Sequence, residues 1–447
     1  MWASDIINAL AYTTTPLFMI RHFFYNKKAL LFTTTLWFVC MVFYIKCNKY
    51  DALVSDPGAY IMFAQACAEH GALYPDASQL YSSYIFNPGW VNFIVLWISI
   101  FGSVRYLAYV NAVFNICIVC VLWLLCRSLF NNKNIAYTTA YMYMILPSFF
   151  TISNHTFSEL YFILMSTTAL YFASRNGRWA YLAGLFTAIA MWTRPIALGW
   201  IIACLFLFLW QRLDWKSTAR YIVAYVTVCA TIAICTHRNY PDYAYKATTG
   251  GVNLIMGANN HATGHYCAET FNPVDGLGYI ENPKQYTVKE KDSIWTHRAV
   301  KWIAEHPKTY ALLTVKKLFN LYNGAPSFTY SYKHLPEDVR LSGLDATQTV
   351  ANPFDETLIW ANNVFLRYHF FFFLLIMSII GFMQKAWRNN KLMLLYLPLF
   401  VCTTMTITTV GELRYSMVML PLIIITAAYS LHQNKARFFR FCKMMSE

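Results

Sequence analysis

Long continuous runs of apolar residues, separated by short polar stretches, dominate the chain. They lie near 29–46, 105–126, 135–151, 158–174, 179–193, 195–211, 220–236, 358–383, 391–409 and 414–431. A membrane-crossing helix needs about 20 mostly apolar residues, and each of the ten runs is read as one crossing. A further apolar stretch at 88–102 is short for a full span. The runs do not alternate, which excludes a transmembrane barrel. The predicted fold class is an all-α polytopic membrane protein with about ten transmembrane helices, because a helix satisfies its own backbone in lipid.

Two long segments break the pattern. Residues 47–104 form the first, and residues 237–357 form a polar segment rich in Asn, Gly, Pro, Tyr and charge. In the second, helical periodicity over 292–321 sets Trp295, Ala299, Trp302 and Ile303 on one face. The organisation read from this is a transmembrane module over 1–236 that includes the loop 47–104, a small mostly helical domain over 237–357, and transmembrane helices with a tail over 358–447. Residues 1–28 lack the charged, apolar and cleavage regions of a signal peptide, so the run from Ala29 to Ile45 is expected to stay as a span.

Composition agrees. Charged residues make up 13% of the chain and hydrophobic ones 57%, where soluble domains carry roughly 25% charged. That excludes a soluble enzyme, and 18% aromatic content excludes disorder. The net charge of +14 does not point to nucleic acid, because the basic residues sit in short loops between apolar runs. Arg127 and Lys133, Arg175 and Arg178, Arg212 and Lys216, Lys385 and Arg388, and the basic tail from Lys435 all fall on one side if 88–102 does not cross. By the positive-inside rule that side is the cytoplasm, with both termini on it. Segment 88–102 is then a juxtamembrane or re-entrant helix at the outer face. Most of the twelve cysteines lie in or beside apolar runs and read as small hydrophobes. Cys67 and Cys267 are the pair placed to meet outside the membrane.

The first outer loop opens with Ser55-Asp56-Pro57-Gly58. Locally this is a capped helix, with Asp56 at the N-cap, Pro57 at the first helical position and Gly71 past the end. Tyr60, Phe63, Ala64 and Cys67 make an apolar stripe that would lay this helix on the membrane surface. Asp56 is then either a cap or an outward carboxylate above the bilayer. Thr156-x-x-Glu159 before the next run reads as a capping box or as a second acidic site residue. His155 beside it is a solvated loop histidine or a metal ligand. Arg194 with Pro195 lies between two short apolar runs, where it either snorkels to the interface or meets an anion. Glu412 and Arg414 form an interfacial ion pair, or Arg414 meets an anion while Glu412 holds its guanidinium. The Asn, Gly and His residues of 250–265 are turn formers or sugar-hydroxyl ligands. The aromatics over 322–332 stack on sugar or sit at the interface.

Taken in order, these motifs resemble the GT-C membrane glycosyltransferases, which include the protein O-mannosyltransferases and the lipid A aminoarabinose transferases. The resemblance rests on Asp56 with its following helix, Tyr84-Ile85-Phe86-Asn87-Pro88-Gly89-Trp90, Ser158-Glu159, Thr193-Arg194-Pro195, Gly250-Gly251-Val252-Asn253-Leu254, Gly257-Ala258-Asn259-Asn260-His261, Glu305-His306-Pro307 and Gly411-Glu412-Leu413-Arg414-Tyr415. It implies an inverting enzyme that takes a sugar from a polyprenyl-phosphate donor at the outer face of the cytoplasmic membrane. Asp56 would be the catalytic carboxylate, and Glu159, Arg194, Glu412, Arg414, Tyr415, Asn253 and Asn259 would bind substrate. A divalent cation on Asp56, Glu159 and His155 is admitted but not required. Glycan, lipid and protein all remain acceptors compatible with these motifs. The competing classes are a polyprenyl-linked glycan transporter or flippase and an O-antigen polymerase or ligase. Transporters often carry internal repeats and midplane charges, whereas here no repeat is evident and the charges gather at the ends of the runs.

Overall fold

The computed structural model describes residues 25–47, 55–211, 214–240, 245, 247–326, 362–384 and 390–434. Among these residues the chain is helical and no strand occurs. The apolar runs become α1 (Lys27–Cys47), α4 (Leu107–Phe130), α5 (Lys133–Ile145) with α6 (Pro147–Thr151), α7 (Glu159–Arg175), α8 (Ala180–Thr193), α9 (Leu198–Phe206), α10 (Trp215–His237), α14 (Phe371–Met383), α15 (Asn390–Thr408) and α16 (Leu420–Gln433). The two long segments between the apolar runs, 47–104 and 237–357, supply α2 (Ser55–Glu69), α3 (Pro88–Phe101), α11 (Gly250–Met256), α12 (Val288–Glu305) and α13 (Pro307–Leu321).

Five of these helices are long and apolar enough to cross a membrane, which makes this a multi-pass membrane protein. They run from Lys27, Leu107, Trp215, Phe365 and Lys391. The run at 135–151 is a pair of helices bent by 64°, a sixth span if the pair is taken as one. The break follows from Pro147, which cannot continue α5 because it lacks an N–H and clashes with the preceding turn. The bent segment after Pro147 is tied to α4 by side chains: Asn115 Nδ2 donates to the Phe149 carbonyl at 2.7 Å and Asn111 Nδ2 to the His155 carbonyl at 2.8 Å. The remaining runs form shorter helices than a full crossing needs. Segment 88–102 is among them, with 14 residues in α3.

One apolar core joins α4 to α10 with α14 to α16. Helix α8 packs between α7 and α10, and the α8–α10 approach is close because a Cβ on Gly184 would strike the Tyr221 carbonyl. A second cluster binds α2 to α3. Here the expectation for α2 is corrected. Tyr60, Ala64 and Cys67 are fully buried against α3 rather than facing lipid, so the stripe is an internal seam. A third cluster unites α11, α12 and Val410, with Trp295, Ala299 and Trp302 buried as their spacing required. The 292–321 periodicity is two helices rather than one, because Pro307 starts α13 after a break at His306. Of residues 250–265, read as turn formers or sugar-hydroxyl ligands, 250–256 fold as the short helix α11.

Cys67 and Cys267 do not pair. Both are free thiols, each hydrogen-bonded within its own segment, to Gln79 and Glu269 respectively. Tyr322 is partly buried, bonded to Thr403 Oγ1 at 2.6 Å, and Phe328, Tyr330 and Tyr332 lie outside the described residues.

Candidate active site

Four charged side chains from four separate segments meet at one point. Asp56 comes from the first turn of α2, Glu159 from the first residue of α7, and Arg194 from the residue that ends α8. Arg414 comes from a 3-10 turn, Leu413–Val418, that leads into α16. Arg414 Nη2 donates to Asp56 Oδ2 at 2.5 Å, and its Nε stands 3.3 Å from Glu159 Oε1. Arg194 Nη2 donates to the same Glu159 oxygen at 2.9 Å. Glu159 therefore sits between two guanidinium groups.

Burial grades the four. The Glu159 side chain is 0% exposed and Arg194 10%, whereas Arg414 is 27% and Asp56 34% exposed. Glu159 and Arg194 form the floor, and Asp56 and Arg414 form the rim. A fully buried carboxylate is tolerable only when paired and hydrogen-bonded. Oxygen Oε1 is so satisfied. Oxygen Oε2 is buried and has no hydrogen-bond partner among the described residues.

Local structure sets each position. Asn87 adopts the left-handed conformation at φ 47°, a region that Asn tolerates better than most residues. Its Nδ2 donates to the Tyr60 hydroxyl and to Ser158 Oγ at 3.0 Å. Ser158 Oγ also accepts from Arg194 Nε at 2.9 Å. Trp90 Nε1 donates to the Thr156 carbonyl at 3.0 Å and pins the segment before Glu159. A Cβ on Gly89 would stand 2.8 Å from the Thr193 amide nitrogen, so only glycine lets α3 approach Arg194 this closely. The Phe157 ring lies under Arg414, 4.8 Å from guanidinium carbon to centroid, and Tyr415 flanks it at 5.9 Å. Burial, with the Asp56 charge next, pushes the Tyr60 hydroxyl well above its ordinary range, so it stays protonated. Asn87, Tyr60 and Ser158 were visible in the sequence as motif residues, yet nothing in their spacing revealed that they brace Arg194 and Glu159.

Several expectations are corrected here. Asp56 lies inside the first turn of α2, and its described partner is Arg414 rather than a capping amide. The capping box at Thr156 does not form, because α7 begins at Glu159 itself with Ser158 before it and no side-chain cap. Arg194 is buried in the protein rather than snorkelling. Glu412 does not hold Arg414; its Oε1 accepts from the Tyr266 amide at 2.6 Å and lies 3.7 Å from His265 Nδ1. Asn259 is consumed by structure: its Nδ2 donates to the Ile255 and Met256 carbonyls and to Thr270 Oγ1, and its Oδ1 accepts from the His261 amide. Asn253 is half-buried on α11, and the structure does not bring it into the cluster. His155 is fully buried, its ring 5.9 Å from Phe157, and is not a solvated loop residue. A divalent cation does not fit this arrangement. Arg414 already bridges Asp56 and Glu159, and no group of three His, Cys, Asp or Glu side chains converges among the described residues.

No protein-family model and no curated protein matches the chain. Solved structures do. The oligosaccharyltransferase of Archaeoglobus fulgidus, solved in complex with zinc and sulfate, aligns over 93% of this chain and 51% of its own, with a TM-score of 0.51 at 14% identity. The chain shares the fold of the part of that oligosaccharyltransferase it aligns with. A second structure of the archaeal enzyme, AglB from the same organism with an inhibitory peptide and a dolichol-phosphate, aligns at a TM-score of 0.47 and 14% identity. The chain spans about half the length of these proteins. Within this fold the paired carboxylates and arginines sit where the ends of α2, α7 and α8 meet the turn that leads into α16.

Proposed function

We propose that the protein is an inverting glycosyltransferase that moves a sugar from a polyprenyl-phosphate donor to an acceptor at the outer face of the cytoplasmic membrane. The observation that carries this reading is the four-residue ion cluster, with a one-third-exposed carboxylate set directly against an arginine. In a single displacement the acceptor oxygen attacks the anomeric carbon. The carbon–oxygen bond to the phosphate breaks, the polyprenyl phosphate leaves with the electron pair, and the acceptor proton passes to Asp56. Arg414 and, behind it, Arg194 face the phosphate, whose charge grows as the bond breaks. Cations aimed at developing charge stabilise the transition state more than the ground state. The 237–357 segment contributes the 257–266 loop, whose Tyr266 amide donates to Glu412 in the turn before α16.

Purified protein in lipid nanodiscs with a radiolabelled polyprenyl-phosphate sugar tests the reading. The enzyme releases the label from the lipid, whereas a transporter leaves the glycosidic bond intact. Arg414→Ala is expected to lose most turnover, and Arg414→Lys to lose less because it keeps the charge without the planar fork. Reporters fused after residues 80 and 300 should read outside and after 130 and 178 inside. Residue 130 outside would put α7 in the opposite orientation and remove the outer-face site.

A further inference from the structure

The ion cluster is closed on itself. Two carboxylates face two guanidinium groups, so the four side chains balance in formal charge, and each arginine turns its Nε and Nη2 toward the cluster. Arg194 gives Nε to Ser158 and Nη2 to Glu159. Arg414 gives Nη2 to Asp56 and turns Nε to Glu159. A phosphate that is to take the Nη2 edge of Arg414 must therefore displace Asp56 from it.

The two carboxylates are not equally replaceable. Glu159 is fully buried between both arginines, and moving it would strand Arg194 in the interior and take from Arg414 its inner carboxylate. Asp56 is one-third exposed and bonds Arg414 at the rim. It also lies in the first turn of α2, where unpaired backbone N–H groups favour a negative charge. A rotation of its side chain suffices, because α2 itself is fixed by Tyr60, Ala64 and Cys67 in the α2–α3 seam and by the Tyr60–Asn87 hydrogen bond.

We propose that the Asp56–Arg414 ion pair is a donor-operated latch, in which the phosphate of the lipid carrier takes Arg414 and thereby releases Asp56 to receive the acceptor. This rests on the polyprenyl-phosphate reading above and adds to it an order of binding. Before the donor arrives, the proton-accepting carboxylate is occupied by its own neighbour. After it arrives, Asp56 faces the acceptor while Arg414 and Arg194 face the leaving phosphate. The latch keeps water and stray hydroxyls from a competent base in the empty site.

The latch predicts an inversion that a purely catalytic role for Asp56 does not. Removing the carboxylate removes the phosphate's competitor, so the catalytically damaged variant binds the carrier more tightly. Binding of sugar-free polyprenyl monophosphate to nanodisc-embedded protein is measured for wild type, Asp56→Asn, Asp56→Ala and Glu412→Gln. Both Asp56 variants should tighten binding by about tenfold, which corresponds to about 1.4 kcal/mol. Glu412→Gln, whose carboxylate bonds Tyr266 instead of Arg414, should stay within about twofold of wild type, a change too small to report a lost competitor. Wild-type binding with unchanged or weaker affinity in both Asp56 variants overturns the latch and leaves the donor reading standing. Equal tightening in Glu412→Gln also overturns it, since the effect is then general charge. Absence of carrier binding to wild type strikes the donor reading itself, and the latch falls with it.

Discussion

Glu159 and Lys317 are both fully buried charged residues on helices, and they are held in opposite ways. Glu159 has a guanidinium on either side, at 2.9 and 3.3 Å. Lys317, on α13, has no hydrogen-bond partner for Nζ among the described residues. Its described cationic contact is the Tyr310 ring, 4.8 Å from Nζ to centroid. The Gly257 and Gly411 backbones close over it, each so near that a Cβ would collide. The contrast separates two kinds of interior charge. A paired ion is expensive to break, because deleting one member strands the others. A lone ion is expensive to keep, and its removal relieves the fold.

The largest expected effect breaks the paired side. Glu159→Ala leaves Arg194 with Ser158 alone and takes from Arg414 its inner carboxylate. Removing one member of a buried ionic group typically costs roughly 3–5 kcal/mol. Thermal unfolding of detergent-solubilised protein should show a large loss, and Glu159→Gln a smaller one because the amide oxygen still accepts one guanidinium hydrogen bond. A Glu159→Ala protein as stable as wild type would mean that the cluster contributes binding chemistry without holding the helices together.

Next in size is the rim carboxylate, where stability and turnover should part. Asp56→Asn keeps a side chain of the same shape in the first turn of α2, and Arg414 keeps Glu159. Unfolding should therefore change little. Transfer should fall by at least about a hundredfold, the low end of acid–base contributions, equal to about 2.7 kcal/mol of barrier. Label transfer from the lipid donor at saturating acceptor measures it. Near-normal turnover would reduce Asp56 to a structural partner of Arg414.

The sequence made the charged members of the cluster legible and hid their partnerships. Asp56, Glu159, Arg194 and Arg414 stand out because a charge at the edge of an apolar run is costly unless it serves something. All four converge. Who pairs with whom depends on packing between helices far apart in sequence, and local patterns misled there. Thr156-x-x-Glu159 matched a capping box, yet α7 starts at Glu159 with Ser158 as its N-cap, so Thr156 is two residues too early to cap it in that way. Glu412 was the near neighbour of Arg414, yet it turns to the Tyr266 amide while Arg414 reaches across to α2. Asn259 carried the chemistry of a sugar ligand and is spent on backbone carbonyls. The apolar runs did become helices, because apolar length is a local property, but the short helix α11 and the split at His306 were not read. Pro147 and Pro307 both fall at helix starts. Lys317 gave no signal, being one of two adjacent lysines on an amphipathic helix. Which of the two turns inward is set by contact with the 257–264 and 411 segments.

The smallest effect concerns that lysine and has the opposite sign. Burial pushes the Lys317 ammonium down to about 8, from an ordinary value near 10.4. Below about pH 8 the folded and unfolded chains both carry the proton, and the full cost of the buried charge is present. Between about 8 and roughly 10.4 the folded chain has released the proton while the unfolded chain still holds it. The unfolded state then binds more protons, so stability rises with pH across that window. Lys317→Met fills the same space without a charge and should stabilise the protein at neutral pH by about 1–3 kcal/mol. The advantage over wild type should shrink as pH climbs through the window and vanish above it. Unfolding temperatures of the two proteins at several pH values give the test. A Lys317→Met protein less stable than wild type at neutral pH would show that the ammonium is held favourably after all. The contrast with Glu159 would then be one of partner type, aromatic ring against guanidinium, rather than of presence against absence.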